Sequence, residues 1–248
     1  MRVEEEAKPP VTSRRTLKRE AAMSRIRVTA RELLVEQGTA AVTVSAVARR
    51  LQVTGPAIYR YYDSHEALIQ AVTADFYDEL IDVIAAARDA GTDAADRLLR
   101  MCRALRAWAV AHPAEYGWIF QHPATAAGMA AESAGAAAGD RFGAVFRAEL
   151  ARLWRNGGFP VRDTAELPQA LRRQLEAYSA DIVEDLPPQA VHVLLGCWIR
   201  LFGTLSLEMS GQLEFAFDDP EPVFEECLAE LADRLALEYR PPRSPDQV

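Results

Sequence analysis

Apolar residues recur at helical spacing along nearly the whole chain. Val44, Val47, Ala48 and Leu51 stand at i, i+3, i+4 and i+7, one face of a short helix. Thr43 precedes that run, where its hydroxyl can cap free N–H groups. Gln52-Val53 reads as a turn. Thr54 is then placed to cap a second short helix, with Pro56 in its first turn, where a missing N–H costs little. Ile58 points inward, and Tyr59, Arg60 and Tyr61 fall on other faces. Two short helices joined by a tight turn are the pattern of a helix-turn-helix, whose second helix enters the major groove. Ahead of it the spacing predicts a helix from about Leu17 to Gln37. Ile26, Ala30, Leu33 and Leu34 form its inner face and Gly38 ends it.

Downstream, Ser64 is placed to cap a long helix reaching about Arg88, with Leu68, Val72, Phe76, Leu80, Val83 and Ala87 inside. A helix is expected from Asp93 to Ala111, stopped by His112-Pro113, and a short one from Ala114 to Phe120. Residues 124–139 are rich in Ala, Gly and Ser and weakly specified. Helices follow over about Gly139–Asn156, with Phe142 and Phe146 inside, and over Pro168–Glu184. Then Val191, Leu195, Trp198, Phe202, Leu205 and Met209 step 4, 3, 4, 3, 4, and Phe224, Leu228, Leu231 and Leu235 step 4, 3, 4. Such seams suit a helix partner more than a single core contact. No segment of useful length has the period of a strand, so the chain reads as all-α. The expected organisation is a disordered tail over 1–13, a three-helix helix-turn-helix domain over 14–70, a larger helical domain over 71–240 and a flexible tail over 241–248.

Charge changes the picture. The whole chain carries a formal −8, but residues 13–62 hold ten basic groups and three acids, so that segment is +7 and the remainder −15. A basic end on an acidic body fits a specific nucleic-acid binder. The chain has no Gly-rich phosphate loop, no Ser-His-Asp set in a plausible context and no paired metal ligands, which argues against an enzyme, a bound metal or a cofactor. His112, His122 and His192 read as boundary or packing residues. Cys102, Cys197 and Cys227 are sparse and unpaired in spacing, as expected of buried free thiols in a reducing cytoplasm. No window approaches the roughly 18–20 uninterrupted apolar residues of a membrane helix, and the charged N-terminus has no secretory h-region.

The string Ile26, Ala30, Leu33-Leu34, Gly38, Thr43-Val44, Val47-Ala48, Val53-Thr54, Ile58-Tyr59, Tyr61-Tyr62, Ser64, Glu66, Leu68 resembles the DNA-binding domain of the TetR/AcrR family of bacterial transcriptional regulators. That resemblance implies a dimeric, ligand-responsive repressor on palindromic operator DNA, or an activator of the same fold. Thr54, Gly55, Pro56 and Ala57 would lie nearest the bases, and Tyr59, Arg60 and Tyr61 would contact DNA beside them. Thr43 and His65 would meet phosphates through helix N-termini. Two positions depart from the family pattern: Gln52 stands where Gly is usual in the turn, and His65 where Lys is usual. The middle of the chain resembles a WHG-like subgroup of the family's C-terminal domains through Ala109-Val110-Ala111-His112-Pro113, Tyr116, Trp198, Phe202-Gly203 and Ser206-Leu207-Glu208. Phe202 stands where many relatives have His. The family's last two helices pair with their copies, so Val191, Leu195, Trp198, Leu205, Phe224, Leu228, Leu231 and Leu235 are the expected dimer contacts. Trp108, Tyr116, Phe120, Phe142, Phe146, Trp198 and Phe202 are the expected lining of a pocket for a small apolar effector.

Overall fold

The computed structural model describes residues 14–121, 133–182 and 186–242. The tail expected over 1–13, all but the first two residues of the tail expected over 241–248, the break at His122-Pro123 and the following residues to 132 lie outside the described residues. The described chain is all-α, with ten helices and no strand among them. They are α1 Arg14–Gln37, α2 Val44–Arg50, α3 Gly55–Tyr59, α4 His65–Asp89, α5 Ala94–Ala111, α6 Pro113–Tyr116, α7 Ala134–Arg155, α8 Gln169–Ile182, α9 Pro188–Met209 and α10 Glu221–Arg234. A π-helical turn, Gly117–Gln121, continues α6. The chain divides into two compact units, Met1–Val72 and Thr73–Val248. α4 carries residues of both.

In the N-terminal unit the inner stripe of α1 (Ile26, Ala30, Leu33, Leu34) packs with Val44, Val47 and Ala48 of α2 and with Ile58 of α3, all buried. Thr43 Oγ1 accepts from the Ala46 N–H at 3.1 Å and Ser64 Oγ from the Ala67 N–H at 3.0 Å, the caps their positions predict. Thr54 holds the cap position of α3 by backbone geometry, but its side chain makes no capping bond. α1 starts at Arg14, three residues before the expected Leu17.

The C-terminal unit has its own core, built from α5, α7, α9, α10 and the later part of α4. Arginine–carboxylate pairs join these helices. Arg97 of α5 meets Glu149 of α7 at 2.5 Å, and Glu149 is 4% exposed. Arg106 of α5 reaches Glu208 of α9 at 2.7 Å and Glu221 of α10 at 3.1 Å. Arg103 binds Glu225 through two bonds, 2.8 and 2.7 Å. α7 begins at Ala134, well before the expected Gly139, because Ser133 Oγ caps it at the Ala136 N–H and the alanine-rich run that follows favours helix. On α4 the inward face drifts from the expectation: Ile84 is fully buried while Val83 is 38% exposed. After α10 the chain turns through Ala236 at φ 52° and runs back as a short strap to Arg240. The strap is tied by Tyr239 O–H to Glu225 at 2.8 Å and by Arg240 to Asp93 at 2.6 Å.

Candidate nucleic-acid interface and candidate ligand cavity

The helix-turn-helix turn has a definite geometry. Gln52 adopts φ 57°, in the left-handed region. Its N–H donates to Arg49 O at 3.1 Å, and the Val53 N–H donates to Ala48 O at 2.9 Å. These two bonds are a Schellman closure of α2, with a glutamine where glycine would be unstrained. The turn directs α3 outward. Thr54, Pro56, Tyr59 and Arg60 are exposed, Gly55, Ala57 and Tyr61 partly so, and Tyr59 stands 49% exposed. Thr43 is exposed as well, although its hydroxyl is committed to the cap. His65 is exposed, but its Nε2 lies 2.8 Å from Val42 O, so this ring nitrogen is already engaged with backbone. With Nε2 donating to that carbonyl, Nδ1 of the neutral ring is an acceptor and offers a phosphate no hydrogen.

The basic groups are not equally available. Arg50 is bound to Glu36 by two hydrogen bonds, 3.1 and 2.6 Å, which hold the Glu36 carboxyl below the ordinary range. Arg19 donates to Arg60 O at 3.2 Å, and its guanidinium lies 5.6 Å from the Tyr61 ring centre. Arg19 thus brings positive charge beside Tyr61 and Arg60. The positive field of this face therefore rests on Arg49, Arg60, Arg19 and the α1 start more than on Arg50.

A cavity of about 450 Å³ lies inside the C-terminal unit. Phe120, Phe142, Phe146 and Trp198 line it, as expected; Trp108, Tyr116 and Phe202 do not. Trp108 is buried with its indole N–H on Glu79 at 2.9 Å, and the Tyr116 hydroxyl lies 3.1 Å from Ser206 Oγ. Phe202 stacks on Trp198 with ring centres 3.9 Å apart, behind the wall. The expected pocket lacked its aliphatic half, Leu98, Leu99, Leu194, Leu201 and Leu228, and also Tyr77, Tyr178, Cys102 and Cys197. A second stripe on α4, Thr73-Tyr77-Leu80-Ile84 at spacings of 4, 3 and 4, was the available signal for Tyr77. Burial pushes the Cys102 thiol up to about 12 and Cys197 to about 11, so both behave as small apolar groups. His112 stands 3.6 Å from Glu79 and 3.9 Å from Glu115, two of the groups around the α5–α6 corner.

Most of the expected dimer contacts are covered within this one chain. Val191, Leu205, Phe224, Leu228, Leu231 and Leu235 are buried, and Leu195 and Trp198 line the cavity. Their heptad spacing was satisfied by the chain's own core. The apolar residues of α9 left outside are Ile199, 70% exposed, and Leu207, with Gly203 between them open to solvent. By length and mean composition alone α9 could cross a membrane, although His192 and Arg200 interrupt its apolar run; here it packs as a core helix.

Comparison with known proteins follows the same division. Residues 26–72 match the model for bacterial regulatory proteins of the tetR family, and residues 98–231 match a tetracyclin repressor-like C-terminal domain. An HTH-type transcriptional regulator of Mycobacterium tuberculosis is 27% identical over 210 residues, 84% of this chain and 89% of the relative. The crystal structure of the regulatory protein SCO4313 superposes with a TM-score of 0.66 at 28% identity, over 90% of this chain and all of that one. RolR, solved with its ligand resorcinol, shares the fold at a TM-score of 0.56 and 16% identity, over 90% and 91% of the two chains.

Proposed function

Because the chain belongs to the tetR family of bacterial regulatory proteins, we propose that it is a ligand-responsive repressor. It binds a palindromic operator as a homodimer and is released when a small, mostly apolar effector enters the cavity of the C-terminal unit. The observation that carries this reading is that cavity, with aromatic and aliphatic walls, in a chain that also presents a helix-turn-helix. RolR's complex with resorcinol supports it by showing a small molecule bound to a protein of this fold. The exposed stripe Ile199-Gly203-Leu207 on α9 is the surface we assign to the partner copy. It is apolar, and Gly203 allows close approach of another helix. α4 supplies the link, since the helix that starts at His65 also places Tyr77 on the cavity wall. A ligand that displaces α4 at Tyr77 changes the separation of the two reading helices in the dimer.

Selection of bound sequences from random DNA with the purified protein tests the first half. A palindrome with half-sites about one helical turn apart is the expected result. A reporter driven from that operator should fall when the gene is present; a rise instead would make the protein an activator. Recovery of no enriched sequence would overturn the reading.

A further inference from the structure

We propose that the effector is an amphipathic monoanion, an apolar body carrying one carboxylate, and that Arg147 of α7 is the residue that receives the carboxylate. This deepens the ligand-gated reading above and rests on it. Arg147 is half-buried and lines the cavity, among walls that are otherwise almost wholly apolar. A guanidinium carries several N–H donors in a planar fork. Among the described residues Arg147 makes one hydrogen bond, from Nη2 to the Asp140 backbone carbonyl at 3.1 Å, and no ion pair. The arginines that join the core helices differ: Arg97, Arg103 and Arg106 each donate to a carboxylate, on Glu149, Glu225 and Glu208 respectively. Arg147 is thus a cation set at an apolar cavity with most of its fork unfilled.

The seat of the guanidinium is built into α7. The side chain folds back one turn onto Gly143, which also lines the cavity; a Cβ there would stand 2.6 Å from Nη1 and 3.5 Å from Cζ. Glycine at that position leaves the room the guanidinium takes. One turn further back, the Tyr77 hydroxyl lies 3.6 Å from where a Cβ of Gly139 would be, so an O–H group stands on the same glycine face of α7. Phe142, Phe146 and Trp198 supply apolar surface for the body of the ligand. Asp140 is the other charged residue of the lining. It is exposed, and it meets Arg147 through its backbone carbonyl rather than its carboxylate. A ligand carboxylate fills the planar fork with two parallel hydrogen bonds, and each charge offsets the desolvation of the other. A neutral ligand leaves the fork unfilled. A cation would meet the like charge of Arg147, with only an exposed, hydrated carboxylate in return.

Three probes of one shape separate these classes: biphenyl-4-carboxylate, its neutral carboxamide, and the cation 4-phenylbenzylammonium. Binding to the full-length protein is measured by calorimetry for wild type, Arg147→Gln and Gly143→Ala. The carboxylate should bind wild type about tenfold tighter than the carboxamide, the effect of charge-assisted hydrogen bonds. Arg147→Gln should remove that advantage and leave the carboxamide affinity unchanged. Gly143→Ala keeps every charge and adds helix propensity, so it should melt no lower than wild type. Its methyl displaces Nη1, and carboxylate binding should weaken about threefold. Undiminished carboxylate affinity in either variant, or a carboxamide that binds wild type as tightly as the carboxylate, would overturn the site at Arg147 and leave the cavity reading standing. Equal loss of carboxylate and carboxamide binding in Arg147→Gln would overturn it too, since the residue would then shape the cavity rather than receive a charge. Tightest binding of the cation would overturn the anionic class. If none of the probes bound wild type, the proposal would fail, and the cavity reading with it.

Discussion

The two units use the same helical period in different ways. Each helix of the N-terminal unit has one apolar stripe, and that stripe is the one buried: Ile26, Ala30, Leu33 and Leu34 on α1, Val44, Val47 and Ala48 on α2. What remains, Tyr59, Arg60 and the arginines, is left outside. In the C-terminal unit, α9 is apolar on more than one side. It buries Val191, Cys197 and Leu205, offers Leu195 and Trp198 to a cavity and exposes Ile199 and Leu207. A helix with one stripe announces its inner face, whereas a helix apolar all round leaves the choice of face to its neighbours.

The sharpest way to break this comparison is a charge placed on each side of the C-terminal seams. Leu228→Asp puts an unpaired carboxylate into the core and should leave the C-terminal unit unfolded, at a cost of more than about 4 kcal/mol. Ile199→Asp should keep the melting temperature near wild type while sedimentation changes from dimer to monomer. The reverse pair of outcomes would restore the heptad seams as the dimer contacts. At the other unit, Tyr59→Ala should weaken operator binding by about tenfold or more with the dimer intact; wild-type affinity in a gel shift would remove Tyr59 from the interface.

Two smaller effects sharpen the contrast. Burial alone would raise the Glu225 pKa, but hydrogen bonds from Arg103 and Tyr239 hold it below the ordinary 4.5. A lowered carboxylate pKa stabilises the fold above the unfolded value, and that contribution is lost as the pH falls through the folded one. Stability of the C-terminal unit should therefore start to drop below about pH 4.5, and Glu225→Gln should flatten that acid limb in urea titrations. In the N-terminal unit, Gln52→Gly should stabilise by about 1 kcal/mol, because glycine adopts the left-handed turn without strain. No change in the melting of that unit would show that Gln52 is relaxed there.

Much of the N-terminal unit was legible because its signals are local. A cap, a turn and an i, i+3, i+4 stripe all act within a few residues, so Thr43, Gln52 and Ile58 could be assigned from spacing alone. The cavity was legible only in part. Phe120, Phe142, Phe146 and Trp198 were found by their aromatic density, but Trp108, Tyr116 and Phe202 shared that density and pack behind the wall. Tyr77 belongs to a second helical stripe on α4, but that stripe does not tell a cavity wall from ordinary core, and neither do the leucines that complete the lining. Their role depends on which helix lies opposite.

The sequence by itself determined the all-α class, the helix-turn-helix with its strained Gln52 turn and the basic end on an acidic chain. These follow from residue chemistry and short-range geometry. Only the tertiary structure decided that the seams of α9 and α10 face the chain's own core, that Arg50 is held by Glu36 and that Tyr77 joins the cavity wall. Burial and pairing are properties of residues brought together from distant parts of the chain. Periodicity specifies that a face is apolar, and packing specifies what covers it.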